Sequence, residues 1–479
     1  MPRPAGHPLA AALTIVAAMI ALALAGPGGR GATAPEPLSQ APAAGDADAD
    51  GAAGGGGSLD IDFAQILSCG SVEPARERPS GKPPRIAVSR DSVGDVAELR
   101  RLTREVAARI EALRGLRFED PIEVAFLDDA GLRRRIDVLA KREASPRLAR
   151  LEGRALTALG AVPEDVNLLR LSRETLEGQV AGLYVPTTGE LLVRSSDGDP
   201  GVIEVLTVAH ELEHALADQA LGLPVRDHPD PRRSDAEAAR LALVEGDATL
   251  SMQLYSEGYL SLVDQLSLLG EDSLGDSQAQ FDDLPDFLQR QLVFPYFDGL
   301  SYVCDRAADR GPEGIDRAYR RPPRSTWELL FPDRDPGARP IAPAPPGELA
   351  SPWRSVARTQ LGAAELSWLF AAPGGDPARA LEDPEEAAAG WAGSSVELWT
   401  AGRRSALGIS LAARGGGLCG SVRAWWRATE PAAAVTSTAS GAFLADGAER
   451  DAAIACSTGS VRVGIAPDPE TARALVAPG

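Results

Sequence analysis

Two of the chain's four histidines stand four residues apart in His210-Glu211-Leu212-Glu213-His214, and a glutamate directly follows the first. On a helix, positions i and i+4 share one face, so both imidazoles can reach one ion. Zinc takes neutral imidazole nitrogen readily, and in catalytic sites it leaves one of its four positions to water. Glu211 is offset from His210 by about 100° of helical turn. Its carboxylate therefore falls beside the metal, where it can accept a proton from a water activated there. This H-E-x-x-H spacing predicts metal-assisted hydrolysis, with His210 and His214 as ligands and Glu211 as general base. The bland reading is a hydrogen-bonded histidine pair. The apolar run Val202-Ile203-Glu204-Val205-Leu206-Thr207-Val208-Ala209 argues against it, because a buried helix needs a reason to hold two histidines.

A third ligand is expected downstream. Residues 234–248 read as a second helix, with Ser234 and Glu237 as a capping box and Leu241, Val244 and Ala248 as an apolar face. Glu245 lies close to that face, where a carboxylate is awkward unless it is paired or bound to metal. The two segments together, His210-Glu211-x-x-His214 and Glu245-Gly246-Asp247-Ala248, resemble the gluzincin pattern of zinc metallopeptidases. The resemblance implies a zincin-like fold, Zn2+ as cofactor and Glu245 as third ligand. The gap after His214 is longer than in many gluzincins, and the proline-rich insert from Leu223 to Pro231 can absorb it. Glu237 and Asp218 are rival ligands. Asp218, one turn after His214, and Asp247, two residues after Glu245, are candidates to orient a ligand from behind; a water-facing role suits Asp218 equally. Tyr296, in the apolar segment Leu292-Val293-Phe294-Pro295, reads either as a donor to the oxyanion of the reaction or as a core aromatic. His228 reads as a loop histidine without a role.

These residues need elements to hold them. Val96, Leu99, Leu102, Val106, Ile110 and Leu113 recur at helical spacing, which predicts a helix over about 93–116. Residues 121–127 read as a strand, and helical stretches run to about 176. Residues 179–193 are two strand-like runs around Pro186-Thr187-Thr188-Gly189. In zincins an edge strand beside the metal accepts an extended peptide as an additional strand, and this hairpin is the expected edge. The fold class is thus α+β: a zincin-like core of a small sheet with an edge hairpin plus metal-binding helices, then a small α+β C-terminal module. The resemblance covers roughly 90–335. It extends to uncharacterised exported bacterial zincin-like proteins through Phe294-Pro295-Tyr296-x-x-Gly299 and Pro322-Pro323-Arg324-Ser325-Thr326.

The organisation reads as a signal peptide over 1–25, a low-complexity linker over 26–58, the metallopeptidase domain over 59–335, a proline-rich linker over 336–350 and the C-terminal module over 351–479. The apolar run Leu9–Ala25 ends in the small-residue site Ala23-Leu24-Ala25 before Gly26, so a secreted or cell-envelope location is expected; an uncleaved N-terminal anchor is the alternative. Leu67-Ser68-Cys69-Gly70 lies too far from that run to be a lipoprotein signal. Export permits disulfides among Cys69, Cys304, Cys419 and Cys456, for which three pairings exist. Cys419 with Cys456 would stay within the C-terminal part, and Cys69 with Cys304 would tie the two ends of the core. The formal net charge of -20 disfavours nucleic acid and anionic membrane as partners; the resemblance and the edge hairpin imply a peptide or protein substrate. In the C-terminal module, 388–399, 405–411 and 460–465 read as strands and 469–476 as a helix, with no catalytic constellation. The expected function is exported zinc-dependent peptide hydrolysis. A catalytically idle envelope binding protein is the first alternative, disfavoured because binding alone needs no Glu211. A zinc hydrolase of a non-peptide amide, such as cell-wall material, is the second.

Overall fold

The computed structural model describes residue 69 and residues 72–75, 81–143, 145–164, 166–171, 180–195, 199–225, 230–267, 281–335, 337–437, 443–447 and 450–477. The expected signal peptide, the low-complexity linker and His228 lie outside the described residues.

Helix α1 (Val96–Arg114) starts where the Asp95 carboxylate accepts from the Ala97 and Glu98 N–H groups, and it stops at Gly115 in the left-handed conformation. Its apolar stripe, Leu99, Val106, Ile110 and Leu113, is buried against a four-stranded sheet. That sheet runs β1 (Ile86–Val88), β2 (Ile122–Leu127), β4 (Glu190–Arg194), β3 (Gly182–Val185) in spatial order. The first three are mutually parallel, while β3 returns antiparallel to β4 and forms the edge. Helices α2 (Asp129–Glu143) and α3 (Pro146–Leu159) separate β2 from this hairpin.

Three long helices follow: α4 (Val202–Leu221), α5 (Ser234–Tyr259) and, after the short α6 (Leu262–Ser267), α7 (Asp286–Arg310). Residues 206–217 of α4 are buried without a break, which explains its apolar sequence: no face of its middle meets water. The capping box expected at Ser234 and Glu237 does not form. Arg233 is the N-cap of α5 and gives no side-chain bond, because a turn of 3-10 helix (Pro231–Arg233), itself capped by Asp230, leads straight into α5. The Ser234 hydroxyl instead bonds the Gln360 carbonyl at 3.3 Å, and Glu237 pairs with Arg240 at 3.1 Å.

Helices α8 (Pro312–Arg320) and α9 (Trp327–Leu330) complete the helical layer. The remainder is a seven-stranded antiparallel sheet in the order β5-β6-β7-β11-β10-β9-β8. It is formed by β5 (Arg354–Thr359), β6 (Trp391–Ala401), β7 (Arg404–Ala413), β8 (Ala434–Ser437), β9 (Phe443–Asp446), β10 (Asp451–Ser457) and β11 (Ser460–Ala466). Helices α10 (Ala363–Ala371), α11 (Pro384–Ala388), α12 (Leu418–Thr429) and α13 (Pro469–Val476) accompany it. The architecture is α+β, with a small sheet and long helices followed by an antiparallel module. One apolar cluster runs from Leu243, Phe294 and Trp327 into Trp391, Trp425 and Val463, on both sides of the proline-rich segment before β5. Cys419 is bonded to Cys456 and Cys69 to Cys304, a pairing suited to an oxidising environment. Among the described residues, no helix is long and apolar enough to cross a membrane.

Candidate metal centre

His210 and His214 lie on the face of α4 that meets α5, and α5 carries Glu245 across from them. His210 Nε2 is 3.2 Å from Glu245 Oε2, His214 Nε2 is 3.2 Å from His210 Nε2, and His214 Nε2 is 3.4 Å from Glu245 Oε2. All three side chains are buried, and among the described residues this is the group that could hold a metal ion. Glu237, the rival ligand, is engaged by Arg240 and is not part of the group. Asp218 is likewise outside it.

The donor set fits a divalent metal on its own chemistry. Burial lowers the pKa of both imidazoles, that of His214 to about 4, so the rings are neutral at pH 7 and offer lone pairs. Nearby Asp247 and Asp218 offset part of that effect at His214. Burial raises Glu245 to about 7, against the pull of its His210 and Tyr296 hydrogen bonds. Two neutral rings and a carboxylate converging away from water leave lone pairs facing one another, an arrangement that a cation stabilises. Glu245 Oε1 has no protein partner either.

Glu211 is held from the sheet. The backbone N–H of Tyr184, on edge strand β3, donates to Glu211 Oε2 at 2.7 Å. Glu211 Oε1 has no protein partner. Burial and the Glu245 carboxylate push the Glu211 pKa well above its ordinary value, while the Tyr184 N–H acts the other way. The close approach of β3 depends on Gly182. A Cβ there would lie 2.5 Å from Thr207 Cγ2 and 3.0 Å from Glu211 Cγ. Asp218 does not reach a histidine; it accepts from the Tyr184 hydroxyl at 2.8 Å. Tyr184 thus fastens the edge strand to α4 through its backbone at Glu211 and its side chain at Asp218.

Tyr296 comes from α7. Its ring is stacked on His210 with 6.2 Å between centroids, and its hydroxyl hydrogen-bonds the Glu245 carboxylate. Two glycines bring it there. A Cβ on Gly246 would lie 2.2 Å from the Gly299 carbonyl, and a Cβ on Gly299 would lie 2.1 Å from the Ala242 oxygen. Helices α5 and α7 therefore cross backbone to backbone, one residue from Glu245 and one turn from Tyr296.

Asp247 bonds Arg114 at 3.0 Å and not a histidine, and the Nδ1 atoms of both rings lack a protein partner. Arg114 is not among the candidates that the sequence pattern offers. The available signal was Glu213, an acidic residue inside an otherwise apolar stretch of helix. Compared with known families, curated proteins and solved structures, the chain finds no match.

Proposed function

We propose that the chain is an exported zinc metallopeptidase of gluzincin type, with His210, His214 and Glu245 as ligands. The observation that carries the reading is the convergence of two neutral imidazoles and a buried carboxylate beside Glu211, whose Oε1 has no protein partner. A bound zinc ion would supply Lewis acidity, making a water acidic and polarising the scissile carbonyl. Glu211 Oε1 then takes a proton from the attacking water and returns it to the leaving amine. Its raised pKa suits it to accept that proton. Tyr184 holds Glu211 in place through Oε2 during both transfers. Tyr296 holds Glu245 and stacks on His210, keeping the ligand set rigid. A peptide substrate is supported by the edge position of β3, since an extended chain can add to a sheet edge by main-chain hydrogen bonds. Two disulfides support an exported location.

The test pairs metal content with turnover. Glu211→Gln keeps the shape and the bond from Tyr184 but cannot accept a proton. It should retain about one zinc per chain and hydrolyse a general peptide substrate on the order of a hundredfold more slowly. Equal turnover by wild type and variant would refute the general-base role, and a wild-type chain that retains no divalent metal would refute the centre.

A further inference from the structure

Behind the metal-facing side of α4 lies a second buried polar group that the proposed chemistry does not use. Arg114, the last residue of α1, is fully enclosed. Its Nε donates to Glu213 Oε1 at 2.9 Å, and its Nη2 donates to Asp247 Oδ2 at 3.0 Å and to Asp316 Oδ1 at 3.3 Å. Glu213 immediately precedes ligand His214 on α4, and Asp247 follows ligand Glu245 by two residues on α5. Glu213 is about 200° round the helix from Glu211, so one helix presents a metal face and an arginine face, both buried.

We propose that Arg114 is a positioning residue that fixes the separation and rotation of the two ligand-bearing helices, and through them the spacing of His214 and Glu245. The inference rests on the metal-centre reading above and adds the element that sets its geometry. A guanidinium is planar and presents its N–H groups in a rigid fork, so bonds from Nε to one helix and Nη2 to the other leave little freedom between them. A lysine at the same place offers one charge on a flexible stem. It could neutralise a carboxylate but could not hold two helices in register. Asp316, on α8, takes a further bond from Nη2, while Nη1 has no protein partner.

The experiment titrates the metal-free full-length chain with Zn2+ against a chromogenic chelator and records the visible spectrum of the Co2+-loaded chain. Wild type, Arg114→Lys, Glu213→Gln and Leu407→Ala are compared, with folding monitored by circular dichroism. Leu407 is buried in the C-terminal sheet, so its truncation reports a merely structural loss. Arg114→Lys should weaken Zn2+ binding about 10–100-fold and alter the Co2+ bands, whereas Leu407→Ala should lower the melting temperature and leave both readouts alone. If Arg114→Lys does not fold, Glu213→Gln gives the same reading, with weaker binding expected. The proposal is overturned if a folded Arg114→Lys, or Glu213→Gln in its place, binds Zn2+ within twofold of wild type with an unchanged Co2+ spectrum. It is also overturned if Leu407→Ala loosens the metal as much. A wild-type chain that binds neither ion removes the metal-centre reading itself, and the Arg114 proposal with it, a result distinct from loss confined to the variants.

Discussion

Gly299→Ala adds one carbon at the crossing of α5 and α7, and the structure predicts its cost. The new Cβ would lie 2.1 Å from the Ala242 oxygen and 2.9 Å from its carbonyl carbon. A carbon and a carbonyl oxygen settle at about 3.3 Å, so the helices must part by about 1.2 Å. The obstacle is backbone within a helix, which cannot rotate away as a side chain can. Overpacking of this kind costs about 1–3 kcal/mol, and the gain from replacing a mid-helix glycine is about 1 kcal/mol. With the clash against backbone at the upper end, the net loss is about 2 kcal/mol, or about 2–4 °C in melting temperature for a folded body of this size. The same displacement carries Tyr296 away from Glu245, so Zn2+ affinity should fall with stability. Gly153→Ala is the internal control. It lies inside α3, where a Cβ would sit 3.7 Å from Leu168 Cγ in ordinary contact, so it should stabilise by about 0.5–1 kcal/mol. Thermal unfolding by circular dichroism reads both. A Gly299→Ala chain that melts at or above the wild-type temperature would refute the argument that backbone contact sets this crossing.

Three further outcomes are expected. Glu245→Ala should lose most bound zinc by elemental analysis while Glu237→Ala keeps it, because only Glu245 stands beside the histidines; equal retention would remove Glu245 from the centre. Burial raises Glu365 to about 7, and the neighbouring carboxyls of Asp235 and Glu152 push the same way. The folded state therefore holds that proton more tightly than the unfolded state, and stability should fall as pH rises between about 4.5 and 7. Glu365→Gln should flatten that fall and leave the chain more stable than wild type at pH 8 in urea unfolding, with an unchanged pH slope counting against the assignment. Reducing Cys419–Cys456, whose partners are 37 residues apart, should cost about 3–4 kcal/mol by loop-closure entropy, and Cys419→Ser with Cys456→Ser should reproduce the loss.

The buried group of His210, His214 and Glu245 and the elements around it were legible because each leaves a local trace. The i, i+4 histidines announce a shared helix face, the stripe from Leu99 to Leu113 announces α1, and Pro186 to Gly189 announces the hairpin turn. What stayed hidden depends on contacts distant in sequence. Glu213 stands as an unexplained acid in an apolar stretch until Arg114, 99 residues earlier, is seen against it. Ser234 and Glu237 have the spacing of a capping box, yet the helix starts at a 3-10 turn and Ser234 serves the Gln360 carbonyl instead. Asp218 and Asp247 both read as candidates to support a histidine from behind. No local rule states that Tyr184 and Arg114 claim them first.

Those distant contacts also tie the start of α5 to helix α10, beyond the proline-rich segment. Asp235, in the first turn of ligand helix α5, accepts from the Thr326 N–H at 3.1 Å and from its hydroxyl at 2.6 Å. The Thr326 hydroxyl oxygen in turn accepts from the Ala364 N–H at 3.0 Å, on α10 beyond the proline-rich segment. Gly362 must lack a side chain for this to close, since a Cβ there would lie 2.2 Å from Asp235 Oδ1. Farther along α5, Leu243 and Val244 join the apolar cluster that includes Trp391 and Trp425. Glu245 is therefore placed from three directions. The start of its helix is tied to the C-terminal module, Gly246 sets its depth against α7, and Arg114 sets its spacing from α4. A buried carboxylate set by three independent constraints has little freedom to relax when one is lost, because buried packing does not deform smoothly.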